Sequence, residues 1–245
     1  MMLSLILIDI KPKEFKVWHS NYYIVSMKHK VKQNIKILIH NCLFLIVFAS
    51  VCVVEGQTET TKTKLGVAYG SGSQNRFPFD LKDYSHDIIF YKLLFNYKFK
   101  KKGKWTFEFT GEPSYNVVEH QLLNASFIKP TDGDDFMEKR ALFTQKRTIK
   151  EYVLNLGIIA RYTIYKNFSG YAMGSVGPMT ADKATERLAK GFAFSDVFGL
   201  GMSYDIKSIR LDFRYSVRHT SNLEMKEPNN GHNTTNTEFS VLFNL

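Results

Sequence analysis

The residues best suited to chemistry lie near the C-terminus. The chain reads Arg218-His219-Thr220-Ser221-Asn222 and then Pro228-Asn229-Asn230-Gly231-His232-Asn233. A serine hydroxyl becomes a nucleophile only when a base takes its proton, and the base needs a third group to orient it. On an extended strand, residues two apart point to the same side. His219 and Ser221 would then share a face beside an asparagine-rich loop. Plain hydration of two polar side chains is the competing account, and for a lone histidine or serine it would be the better one. The pair in register, next to that loop, favours acyl transfer.

The segments that must position this pair show a period of two. Apolar residues take every second place in Ile89–Phe99, Trp105–Thr110, Tyr152–Ile164, Ile209–Val217 and Phe239–Leu245. Weaker candidates are Lys64–Gly70, Asn167–Val176 and Phe192–Asp205, which brings the expected count to eight. Short turns are expected at Lys100–Lys104, Tyr165–Asn167 and Asp205–Ser208. Long loops are expected at Ser71–Ser85, Asn116–Lys150, Gly177–Gly191 and Asn222–Asn233. Alternating short and long connections are the plan of a transmembrane β-barrel. The fold class expected is therefore all-β, an eight-stranded antiparallel outer-membrane β-barrel over residues 57–245. A soluble barrel would bury the Phe/Tyr/Leu face, leaving Arg210, Asp212 and Arg214 outside. In a membrane barrel these charges turn inward, where they can pair with one another. His219 and Ser221 share the parity of Phe213, Tyr215 and Val217, so they sit on the lipid-facing side, at its outer edge.

The run from His219 to Asn222, followed by Pro228-Asn229-Asn230-Gly231, resembles the motif of the lipid A 3-O-deacylases of the PagL type. Gly174-Ser175-Val176-Gly177-Pro178 and Gly191-Phe192-Ala193-Phe194-Ser195 are similar to other stretches of that family. The likeness covers most of residues 60–245 and is specific mainly in residues 218–233. It implies an eight-stranded outer-membrane barrel that hydrolyses an ester-linked acyl chain of lipopolysaccharide without metal or cofactor. It implies His219 as general base and Ser221 as nucleophile, with Asn222 and Asn229 near the oxyanion and Gly231 in the motif. The family's third member is a glutamate where this chain has Asn233. An asparagine carbonyl can still accept from the imidazole N–H, but it offers no negative charge. Glu224 or Glu227 could stand in for it. A non-enzymatic barrel of structural or adhesive role and an outer-membrane phospholipase are the alternative functions. Which acyl position is cut, and whether the chain forms a homodimer, stay open at this level.

The N-terminal 56 residues are of another kind. Lys28, Lys30, Lys32 and Lys36 precede an apolar run from Leu43 to Val54. That is the layout of a secretory signal peptide, with Met27 as its natural start and residues 1–26 as an upstream extension. A membrane anchor is the alternative, but His40 and Asn41 interrupt the run. Val51 is a poor neighbour for Cys52 as a lipoprotein cysteine. The full chain of 245 residues has 33 basic and 23 acidic residues, a net charge of +10. Loss of residues 1–56 would take both cysteines and leave 26 basic against 20 acidic residues. A nucleic-acid partner, which the raw charge invites, then loses its support.

Other signals are weaker. Lys98, Lys100, Lys101, Lys102 and Lys104 read as a solvated turn. Lys139, Arg140, Lys146, Arg147 and Lys150 could meet lipopolysaccharide phosphates or be a plain solvated face. Gly70-Ser71-Gly72-Ser73 lacks the Gly-Lys-Ser/Thr ending of a phosphate loop. Asp132-Gly133-Asp134-Asp135 lacks calcium-loop spacing. His86, His120 and His232 show no ligand spacing along the chain, and His232 is the second candidate for the base.

Overall fold

The computed structural model describes residues 61–245. The export segment expected over residues 1–56 lies outside the described residues. Eight strands follow one another around a closed, antiparallel barrel. They are β1 (Thr63–Ser73), β2 (Tyr84–Lys102), β3 (Trp105–Leu122), β4 (Arg147–Tyr165), β5 (Phe168–Ala181), β6 (Gly191–Ile206), β7 (Ile209–Ser221) and β8 (His232–Asn244). Closure comes from β1 pairing with β8, with Leu65 opposite Phe243 and Ser73 opposite Thr235. Every strand is thus paired on both sides, as a span without water requires.

The two faces are those the alternation predicts. Leu93, Leu156, Phe198 and Phe213 are exposed on the outer wall. Glu108, Glu112, Arg161, Arg210, Asp212, Arg214, Arg218 and Glu238 are buried inside. Arg210, Asp212 and Arg214 do not pair with one another, contrary to the expectation. They share one strand face and reach across the barrel instead. Arg210 meets Glu108 at 2.8 Å, Arg161 meets Asp212 at 3.4 Å, and Arg214 meets Glu112 at 2.9 Å. Lys92 bridges Glu112 and Glu238 at 3.1 and 2.6 Å. Such charges can be buried because each faces an opposite charge, and most are hydrogen-bonded to it as well.

Several strands run further than the apolar pattern. β2 begins at Tyr84 and ends at Lys102, so Lys98, Lys100, Lys101 and Lys102 are strand residues and not turn residues. β3 continues to Leu122, through a stretch expected to be loop, and β8 begins at His232. Towards the long-loop end the outward positions become polar, as at Asp87, Glu119 and Gln121, and the alternation fades from the sequence. The connection between β3 and β4 carries a helix, α1 (Phe136–Phe143), that sequence periodicity does not announce. Its Phe143 packs with Leu122 and Ile128. In this region Lys139 pairs with Asp135 at 2.8 Å and holds that carboxyl below its ordinary range. Lys146 pairs with Glu119, which holds the ammonium above its ordinary value. Arg140 donates to the Ile128 carbonyl and Arg147 to the Ala184 carbonyl. The basic cluster is largely occupied by its own protein.

Candidate active site

The site is built where β7 ends and β8 begins. The register sets His219 opposite Asn233 and Thr220 opposite His232. Thr220 points into the barrel and is buried, so His219 and Ser221 on either side of it face out. His219 is exposed, and its Nδ1 lies 2.7 Å from Oδ1 of Asn233. A carboxamide oxygen only accepts, so Nδ1–H donates and Nε2 carries the lone pair. Glu224 and Glu227 are exposed on the connecting loop, and no hydrogen bond joins either to His219 among the described residues.

The β7–β8 loop is held tightly. Asn222 is buried, and its side chain donates to the Lys226 carbonyl at 2.5 Å. Its backbone N–H donates to Oδ1 of Asn229 at 2.7 Å. That bond uses the oxygen of the Asn229 carboxamide and leaves its NH₂ as the free end. Gly231 has φ +66°, and a Cβ there would lie 2.4 Å from the Thr220 carbonyl oxygen. Only glycine fits this backbone. The Gly231 N–H donates to the Arg187 carbonyl, and Arg187 Nε donates back to the Gly231 carbonyl at 2.9 Å. The β5–β6 loop thus clamps the start of β8.

The family model for lipid A 3-O-deacylase (PagL) matches residues 89–241, which include β7, the loop and most of β8. The chain belongs to the lipid A 3-O-deacylase family. It is an outer-membrane protein of the β-barrel kind. No curated protein matches the sequence. The crystal structure of the outer membrane enzyme PagL is similar, with 11% identity and a TM-score of 0.49 over 72% of this chain and 97% of that one. Neisserial surface protein A is similar at 10% identity and a TM-score of 0.42, over 75% of this chain and 96% of that one. OprG from Pseudomonas aeruginosa gives 11% identity and a TM-score of 0.38, over 76% and 97%.

On this member of the lipid A 3-O-deacylase family, an apolar groove of about 810 Å³ runs along the outer wall to the histidine. Leu156, Ile158, Val176, Phe198 and Val217 line it, and it ends at His219 and Asn233. Outward Gly174 makes its floor low, since nothing lies within 4 Å of where its Cβ would be. Phe79 of the β1–β2 loop forms part of the wall. That loop drapes over the outside of β7 and β8, where Tyr215 donates to the Phe77 carbonyl at 2.6 Å.

Two features escape a reading of the sequence. Asp196 on β6 is the cross-strand neighbour of His219 and faces outward beside it. Only the β6–β7 register brings it there. His86, His120 and His232, which have no ligand spacing along the chain, meet inside the barrel, each with a ring nitrogen within 4.8 Å of the others. His232 is buried there, on the opposite side of β8 from the groove, which sets it apart from the outward-facing Ser221.

Proposed function

We propose that the protein hydrolyses an ester-linked acyl chain of lipid A at the membrane interface, by a serine mechanism. His219 Nε2 takes the Ser221 hydroxyl proton as Oγ attacks the ester carbonyl carbon. The tetrahedral intermediate collapses as His219 returns the proton to the departing sugar oxygen. A water molecule, deprotonated by His219, then attacks the acyl-serine, and the fatty acid leaves as His219 returns that proton to Ser221 Oγ. The observation that carries this reading is the 2.7 Å bond from His219 Nδ1–H to Asn233, which fixes the tautomer a base requires.

The remaining roles follow from the surroundings. The free NH₂ of Asn229 is the side-chain donor for the oxyanion, a term usually worth more than any other single contact. Asn222 anchors the loop that carries Asn229, and Gly231 lets the loop pass close to Thr220. Asp196 supplies the negative charge near the imidazolium that Asn233 lacks. The groove ending at His219 suits a saturated acyl chain, which is held there by close packing and not by removal from water, since it already lies among lipid tails. Residues 27–56 would direct the chain out of the cytoplasm.

The test is lipid A mass spectrometry on cells and on purified protein mixed with lipopolysaccharide. Loss of one ester-linked acyl chain is expected with the native sequence and no loss with Ser221→Ala. Persistence of the deacylated species in that variant would refute the serine assignment. Cleavage of phospholipid in place of lipopolysaccharide would keep the mechanism and change the substrate.

A further inference from the structure

The interior histidine cluster takes no part in the chemistry above. His86 is near the start of β2, His120 stands opposite it near the end of β3, and His232 opens β8. β1 stops at Ser73, and beyond that point the β2 and β8 side chains meet. The rings of His86 and His232 stack with centroids 4.2 Å apart. His86 Nδ1 and His120 Nδ1 are 3.1 Å apart. All three side chains are at most 2% exposed.

The outer nitrogens are held by the β5–β6 loop that caps this end. His120 Nε2 is 2.8 Å from Oε2 of Glu186, and His232 Nε2 is 2.9 Å from the Thr185 hydroxyl. A carboxylate accepts only, so His120 donates from Nε2 and its neutral ring presents a lone pair at Nδ1. Nδ1 of His232 is buried and has no hydrogen-bond partner among the described residues. His86 Nδ1–H can donate to the His120 Nδ1 lone pair across 3.1 Å, but among the described residues no hydrogen bond reaches the third nitrogen, the buried Nδ1 of His232. Three ring nitrogens gathered within 4.8 Å, one of them orphaned, suit a shared cation. Zinc–nitrogen bonds of about 2.0–2.1 Å place two ligand nitrogens roughly 3.3 Å apart.

We propose that His86, His120 and His232 bind one divalent transition-metal ion through their ring nitrogens. Three imidazoles select zinc, nickel, copper or cobalt, not calcium or magnesium, which take oxygen ligands. Glu186 behind His120 is the outer partner that orients a ligating imidazole and makes it more basic. Binding would draw the His232 nitrogen from within 4.8 Å of the other two to about 3.3 Å. The ion joins β2, β3 and β8 behind the hydrolytic residues, because His232 lies between Gly231 and Asn233 in the chain. It is a structural ion: the His219 face is on the other side of the barrel wall.

The experiment uses untagged protein in detergent, stripped with EDTA, desalted and titrated with zinc against a chromophoric chelator. One zinc per chain is expected, and cobalt in its place should give visible absorption of a low-coordinate nitrogen site. His86→Gln and His120→Gln should each abolish binding, whereas His219→Gln should keep the full stoichiometry. Glu186→Gln should weaken zinc by about 10- to 100-fold, the usual cost of losing such a partner. Heat-modified gel mobility reports whether each variant is folded. If the histidine variants do not fold, the cobalt spectrum and Glu186→Gln decide. Absence of bound zinc in the native protein, or binding that survives both histidine changes, overturns the proposal. Neither outcome touches the Ser221 reading, because the readout is stoichiometry and not hydrolysis.

Discussion

Replacement of Asn233 probes the proposed mechanism most directly, because asparagine can be exchanged for a charged isostere or for an apolar one. In the resting protein, Nδ1–H of His219 donates to a neutral oxygen at 2.7 Å. When Ser221 is deprotonated the ring becomes cationic and the same bond becomes charge-assisted. Neutral bonds are worth about 0.5–1.5 kcal/mol and charged ones about 1.5–3, so some 1–1.5 kcal/mol of stabilisation arises only in the transition state. Asn233→Leu removes it, a loss of roughly tenfold in kcat. Free exchange between the two ring tautomers adds about another factor of two. Asn233→Asp keeps the shape and adds a negative charge about 4 Å from the ring centre. That interaction is worth about 1 kcal/mol in water and about 4 at an effective dielectric of 20. Asn233 is half-buried, and a gain of about 1–2 kcal/mol gives a kcat roughly 5- to 30-fold higher. The assay is fatty-acid release from lipopolysaccharide in mixed micelles, quantified by mass spectrometry, with gel mobility confirming the folded barrel. A leucine variant within twofold of the native kcat, or an aspartate variant no faster than native, would refute the assigned role of Asn233.

Asp196→Asn should lower kcat by about three- to tenfold with little change in KM, and the difference should shrink as salt is raised, since the residue is exposed. Kinetics at two ionic strengths check this. Gly174→Phe should fill the groove floor and raise KM for the long-chain substrate, while leaving cleavage of a short-chain nitrophenyl ester unchanged. Glu112→Gln leaves Lys92 and Arg214 facing a neutral group inside the barrel. Removing one partner of a buried pair costs about 3–5 kcal/mol, which should appear as a lower temperature for loss of the folded gel band.

The fold was legible because the lipid imposes a strict period. Tyr91, Leu93 and Phe95 on β2, or Phe213 and Tyr215 on β7, could face only one way. The strand ends were not legible, because above the lipid the outer face is free to be polar and no alternation remains. The pairing of His219 with Asn233 could be anticipated, since both lie in one hairpin near its loop. The positions of Asp196 and of the three interior histidines could not. They depend on the exact registers of β6 with β7 and of β2 with β3, which turn and bulge details set, and, for His232, on the closure of β8 against β1. The partners of Arg210, Asp212 and Arg214 follow the same rule: parity predicts the face, but only closure of the ring decides which charges meet.

His219 and Ser221 are carried on the outside of the barrel wall, not in its lumen. A molecule that reaches them travels in the plane of the membrane. Its encounter rate is then set by how many copies occupy a given area of leaflet, not by how many occupy a given volume of solution. Diluting the lipid with inert amphiphile at constant bulk concentration slows such encounters, and adding buffer does not. The groove opens to neighbouring lipids, so under the proposed function turnover would be an exchange between tenants of the same surface.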